Sequence, residues 1–339
     1  MELTVFKKFI FACLIFILVG TLSNCSTSSQ VASNPTKQNF KYQNVNIGIS
    51  PNSAFKPIRA ISCPTTNFCM AVGRNGYATY LLNNKWSKPL KIDTTTEING
   101  YNSLLTVSCP TQNFCATTDR AGNAFIYKNK VWSQAISINN ISNIPGMNAV
   151  ESISCPTVNF CLAGNEFGGF IKYLNSTWQS LGQVGSNSDH IYSVSCKNIS
   201  FCVATDSNGN AYFYNGTSIK GPISIDQNEF PDGILNAVSC SDTSFCIAVD
   251  NAGFIFVYTN GKFSTGTNID PYGAITSISC TTNNFCLATD ASGHGFILND
   301  GVLKRQLDIN ISGTITTVSC LNPDYCLAVG NEGKVFKYS

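Results

Sequence analysis

Ser279-Cys280-Thr281-Thr282-Asn283-Asn284-Phe285-Cys286 is one of seven copies of the same short phrase in this 339-residue chain. Paired cysteines with five residues between them stand at 63/69, 109/115, 155/161, 196/202, 240/246, 280/286 and 320/326. A serine precedes each first cysteine, and Phe, or Tyr325 in the last copy, precedes each second one. The first cysteines follow one another at 46, 46, 41, 44, 40 and 40 residues. A period of this length sets the architecture before any single residue is considered.

The flanks of the pair, such as Thr276-Ser277-Ile278-Ser279 and Leu287-Ala288-Thr289, are short and β-prone. Five intervening residues let the cysteines face each other across an antiparallel hairpin, where the spacing suits a disulfide. Four residues after the second cysteine stands Asp119, Asp206, Asp250 or Asp290, with Asn165 in one copy and Gly73 and Gly330 in two. Three residues later every copy has a glycine: Gly76, Gly122, Gly168, Gly209, Gly253, Gly293, Gly333. Asp-x-x-Gly reads as a turn in which the carboxylate accepts from backbone amides. An alternating strand follows, as in Phe254-Ile255-Phe256-Val257-Tyr258, and then a fourth, clearest in Lys85-Trp86-Ser87, Val131-Trp132-Ser133 and Thr177-Trp178-Gln179.

Four short strands, seven times over, predict an all-β fold: a seven-bladed β-propeller of four-stranded antiparallel blades. A solenoid is the rival. The seventh copy runs only to a third strand at Phe336-Lys337-Tyr338, while a β-like stretch near 42–50 precedes the first copy unused. The expectation is therefore a ring closed by an N-terminal strand that completes the last blade, removing exposed sheet edges.

The N-terminus reads as a targeting segment. Lys7 and Lys8 precede an apolar stretch from Phe9 to Val19, a length suited to a signal peptide. Leu22-Ser23-Asn24-Cys25 resembles the bacterial lipobox, in which the cysteine is lipidated, although Asn24 departs from its usual Gly or Ala. The domain reading is 1–24 lipoprotein-type signal peptide, 25–39 flexible tether and 40–339 propeller. Of sixteen cysteines, setting aside Cys13 and Cys25 leaves the seven pairs. In an exported chain these are expected as the disulfides Cys63–Cys69, Cys109–Cys115, Cys155–Cys161, Cys196–Cys202, Cys240–Cys246, Cys280–Cys286 and Cys320–Cys326. Zinc is disfavoured, because its cysteine pairs are usually closer spaced and His190 and His294 are the only histidines.

The Ser-Cys-x5-Cys hairpin with Ala-Val/Thr-Asp-x-x-Gly resembles the Cys-paired propeller repeats of secreted bacterial proteins. It is similar, more distantly, to the Asp-box turns of sialidase-type propellers, which have one residue fewer between Asp and Gly. The resemblance implies the fold over residues 40–339 and leaves activity open.

Function classes narrow accordingly. Net charge is +2 and only 12% of residues are charged, with no basic stripe, so nucleic acid is not an expected partner. A sialidase-like site would need an arginine cluster; Arg59 and Arg120 are read to one rim, with no third arginine placed beside them. His190 and His294 read as surface or turn residues, and no metal or cofactor is assigned. The loops opposite the disulfide hairpins differ in every copy, and loops on a rigid scaffold are where binding concentrates. Tyr101, Tyr192, Glu229, Phe230, Asp232 and Tyr272 are the candidate binding surface. The expectation is a non-catalytic binding or scaffold protein of the cell envelope, held to the membrane by its N-terminal lipid (in the outer membrane where there is one), or else periplasmic or secreted. Its partner is an envelope protein or a glycan; the alternative is a carbohydrate-binding module or degenerate sialidase-like glycosidase.

Overall fold

A computed structural model describes residues 58–95, 102–138, 149–186, 189–226, 233–309, 314–330 and 333–339, together with the backbone of Phe40–Tyr42. Seven antiparallel sheets follow in chain order, each with its strands running from the inside of the ring outwards. Blade 1 is Ile58–Thr65, Phe68–Gly73 and Tyr77–Leu82, with an outer strand split into Lys85–Trp86 and Leu90–Lys91. Blade 4, Ile191–Asn198, Phe201–Asp206, Asn210–Tyr214 and Ile219–Ser224, has the unbroken form. The expected seven-bladed propeller is the fold of this protein.

The split outer strands have a local cause. In blades 1, 2 and 5 the chain leaves the ladder at Ser87, Ser133 and Ser264. Each serine N–H donates to a third-strand carbonyl at 2.8 Å, and its hydroxyl accepts the N–H of that same third-strand residue. The side chain thus replaces one rung where the strand bows outward.

Ring closure occurs slightly earlier in the chain than the sequence suggested. Phe40–Tyr42 pairs with the third strand of blade 7, with Phe40 opposite Tyr338 and Tyr42 opposite Phe336. The remainder of the expected closing stretch, residues 43–50, lies outside the described residues, as do Cys25 and the expected signal and tether.

All seven disulfides form within their own hairpins. The second cysteine of each pair is buried, from Cys69 to Cys326, so the bridges cap the core from one end. Such bonds persist in an oxidising compartment. Among the described residues no helix is long and apolar enough to cross a membrane.

The core is divided among the blade junctions. Phe68 and Phe125 pack between blades 1 and 2, Phe114 and Trp178 between 2 and 3, and Phe285 and Phe336 between 6 and 7. The largest wholly buried side chains include Phe125, Phe170, Tyr212, Phe256, Phe296 and Phe336, one on the third strand of each blade from 2 to 7. The alternating pattern of that strand thus faces one aromatic toward a neighbouring blade.

The serine before each first cysteine explains itself here. Its hydroxyl accepts the backbone N–H of the first cysteine in the next blade: Cys109 to Ser62, Cys155 to Ser108, Cys196 to Ser154 and Cys240 to Ser195, at 2.9–3.0 Å. Cys280 to Ser239, Cys320 to Ser279 and finally Cys63 to Ser319 complete the circuit at 2.9–3.1 Å. The result is a closed hoop of seven hydrogen bonds linking all blades at the disulfide end.

Candidate functional site

The Asp-x-x-Gly turns lie at the other end, and they form as the sequence implied. Asp250 Oδ1 accepts from Ala252 N and Phe254 N, and Asp290 Oδ1 from Ser292 N and His294 N. The glycine of each turn has φ between 69° and 94°, the left-handed region that a side chain disfavours. These acids are buried and serve the backbone.

Beside them, every inner strand carries a β-bulge at its first turn of ladder. Ile58 pairs with Gly73 and Ala60 with Val72, leaving Arg59 unpaired between them. The same skip leaves Leu105, Glu151, Tyr192, Asn236, Thr276 and Thr316 unpaired. The residue just before each bulge, such as Ile58, Leu104, Val150 or Ile191, is wholly buried. A bulge re-aims the extra side chain, and here six of these seven residues line one central cavity of about 340 Å³.

The ring of bulge residues is lopsided. Asn236 and Thr276 donate to the carbonyls of Ile275 and Ile315 in the following blade, and Thr316 donates to Val329 O of its own blade at 3.0 Å, so on that side short polar groups line the wall. Blades 1 to 4 instead present Arg59, Leu105, Glu151 and Tyr192. Burial, then the charges of Arg74 and Arg120, push the Arg59 guanidinium below its ordinary pKa. Arg74 sits on the turn of the same blade.

Two blades further along the same arc, burial and the neighbouring Glu166 push the Glu151 carboxyl up to about 7, with Arg120 opposing. His190 Nδ1 lies 3.6 Å from Glu151 Oε2, and the His190 and Tyr192 rings are 5.8 Å apart. The arc of blades 1 to 4 thus runs from the Arg59 guanidinium to the Glu151 carboxylate and the nearby His190 imidazole, with Tyr192 beside them.

Of the residues singled out from sequence, Tyr192 lines this funnel. Tyr272 is 96% exposed on the loop between blades 5 and 6. Tyr101, Glu229, Phe230 and Asp232 lie outside the described residues. Asp189 and Asp270 are buried turn acids: Asp189 accepts from Ser186 and Asn208, and Asp270 faces Asp290. Sequence reading put Arg59 at a rim, where it lines the funnel, and missed Leu105 and Glu151. The signal was available, since all seven bulge residues stand four positions before a first cysteine. A separate groove of about 300 Å³ lies on the flank of blades 4 and 5, lined by Phe213, Ile223, Ile225 and Phe263.

No protein-family model matches the chain, and no curated protein matches it in sequence. Among solved structures it is similar to the WD40 β-propeller domain of Doa1, with 12% identity and a TM-score of 0.65 over 85% of this chain and 94% of that one. It is also similar to YCF48 bound to a D1 peptide, with 14% identity and a TM-score of 0.66 over 88% of this chain and 96% of that one. At these identities the likeness establishes a β-propeller and nothing beyond the fold.

Proposed function

We propose that this chain is a non-catalytic binding protein of the cell envelope, which holds a protein partner on the funnel face. The observation that carries this reading is the contrast between the two ends. The disulfide end repeats one motif and one hydrogen bond seven times, so it offers little to distinguish one ligand from another. The funnel end differs from blade to blade, with Arg59, Leu105, Glu151 and Tyr192 on one arc. The structure of YCF48 holds a D1 peptide, and a peptide-binding propeller supports a protein partner here. A glycan site would be expected to stack several aromatics, whereas Tyr192 is the one aromatic lining the described funnel. Tyr272, with Tyr101, Glu229, Phe230 and Asp232, completes the set of candidate partner-binding residues in this reading.

The test is capture from envelope extracts, run beside a glycan array. Alanine at Tyr192, Tyr101 or Phe230 should each weaken capture at least about tenfold, or about 1.4 kcal/mol, without unfolding the protein. Charge reversal at the exposed Lys197 or Asp324, on the disulfide end, should leave capture within about twofold. The opposite pattern would assign the working face to the wrong end, and glycan binding alone would favour the carbohydrate-binding alternative.

Envelope anchoring belongs to the same proposal. The lipobox-like Leu22-Ser23-Asn24-Cys25 and the disulfides support export and lipidation at Cys25. Labelled fatty acid should enter the wild-type chain and be absent from Cys25→Ala, which should also leave the membrane fraction. Equal label in both chains would remove the anchor from the reading.

A further inference from the structure

We propose that Glu151, Glu166 and His190 form a binding site for a divalent transition-metal ion in the funnel wall. The site goes beyond the partner-binding reading and does not depend on it.

Three elements bring the residues together. Glu151 is the bulge residue of the blade 3 inner strand, Glu166 follows Asn165 in the blade 3 turn, and His190 immediately precedes the inner strand of blade 4. One ligand atom from each lies within 4.8 Å of the other two. Reciprocal hydrogen bonds hold the Glu166 side chain and the His190 backbone. Glu166 N donates to Ala149 O while Glu166 Oε1 accepts from Ala149 N at 2.9 Å. Ser207 N donates to His190 O while Ser207 Oγ accepts from His190 N at 3.2 Å. Neither arrangement uses the imidazole nitrogens or the second Glu166 oxygen.

Glu151 supplies the independent observation. Its Oε2 is closed off from solvent and accepts no hydrogen bond, a costly condition for a carboxylate oxygen. The imidazole Nδ1 at 3.6 Å is too distant to satisfy it. That separation does fit two donors on one ion, since metal–ligand bonds of about 2.0–2.2 Å at a tetrahedral angle hold donor atoms about 3.4 Å apart. Blade 3 also places neutral Asn165 where four other blades have a buried aspartate, leaving the negative charge of this corner to the two glutamates.

The donor set defines the ion. One imidazole and two carboxylates suit Zn²⁺ and its neighbours, whereas Ca²⁺ and Mg²⁺ prefer oxygen alone. Three protein donors leave a coordination position open to the funnel, where a partner's carboxylate or side chain could complete it. Arg120 opposes the ion electrostatically, as its effect on Glu151 shows. The groups facing Glu151 are Glu166, His190, Arg120 and Tyr192. Binding uses the neutral imidazole and the ionised carboxylate, so the ion competes with protons for these donors.

The test is calorimetric titration of Zn²⁺ into the oxidised full chain after chelator treatment, with Ca²⁺ in parallel. One Zn²⁺ per chain is expected. Glu151→Gln and His190→Gln should each weaken it at least about tenfold, and Arg120→Gln should tighten it. His294→Gln, on the separate Asp290–His294 pair, should leave it unchanged. Glu166→Gln gives the same reading should Glu151→Gln fail to fold, as judged by its melting curve. No saturable site, preference for Ca²⁺, loss on His294→Gln, or indifference to the Glu151, Glu166 and His190 variants would each overturn the assignment.

Discussion

Removing residues 40–50 should lower the melting temperature by about 5 °C or more and bring the protein out of solution as a self-associating species. The strand Phe40–Tyr42 is the only cover on the outer side of Val335–Tyr338 among the described residues, through three paired positions. At about 1 kcal/mol for each ladder hydrogen bond, the loss is about 3 kcal/mol. For a domain of this size that corresponds to roughly 2 °C per kcal/mol. The larger consequence is the bare edge, which offers its backbone to another chain. Removing 26–38 should change neither quantity. Differential scanning calorimetry with light scattering checks both deletions, and an unchanged melting temperature for the 40–50 deletion would mean that the ring does not depend on this strand.

The second large effect is expected at Asp206. Its Oδ1 accepts from Asn208 N and Asn210 N at 2.9 and 2.8 Å, and its Oδ2 from the Asn210 side chain and the Tyr212 hydroxyl at 2.9 and 2.8 Å. Asp206 is fully buried and Tyr212 almost so. Burial, reinforced by Asp206 and Asp189, pushes the Tyr212 hydroxyl well above its ordinary pKa, so it stays a donor. Asp206→Ala strands four donors at once, and buried unpaired donors cost about 1–3 kcal/mol each. Partial relief from Asp189 Oδ2, 3.2 Å from the tyrosine, brings the expected loss to about 3 kcal/mol or more. Asp206→Asn keeps the Oδ1 contacts and should lose less. Urea unfolding midpoints measure both, and a shift under about 1 kcal/mol for the alanine variant would demote the turn network to decoration.

What was legible in the sequence is what is local and repeated. The cysteine pair, the Asp-x-x-Gly turn and the alternating third strand are each decided within a few residues, and seven copies make their meaning plain. Partners that lie a blade apart were not legible. The role of the serine before each first cysteine depends on a neighbour 41 to 47 residues along the chain or, for Ser319, 256 residues back at Cys63. The funnel residues were hidden for a related reason. Leu105 and Glu151 sit inside strands whose period predicts only in or out, and the bulge that turns them into the cavity is marked only by its fixed place four positions before a first cysteine. Attention to loops therefore found Tyr192 at a strand start but passed over Glu151, whose partners Glu166 and His190 arrive from a turn and from the next blade.

The Ser–Cys hoop has one more consequence. Each dipeptide is at once hook and eye: its serine takes the hydrogen bond from one neighbour while its cysteine N–H offers the bond to the other. Every blade therefore carries both halves of a universal coupling, and any repeat can stand beside any other without renegotiating the joint. Blades become interchangeable parts. A copied repeat arrives with its connector already in place, free to alter the residue four positions upstream of its cysteine and the loop beyond it. That freedom is visible in the repeat lengths, which drift between 40 and 46 residues while the coupling stays the same seven times.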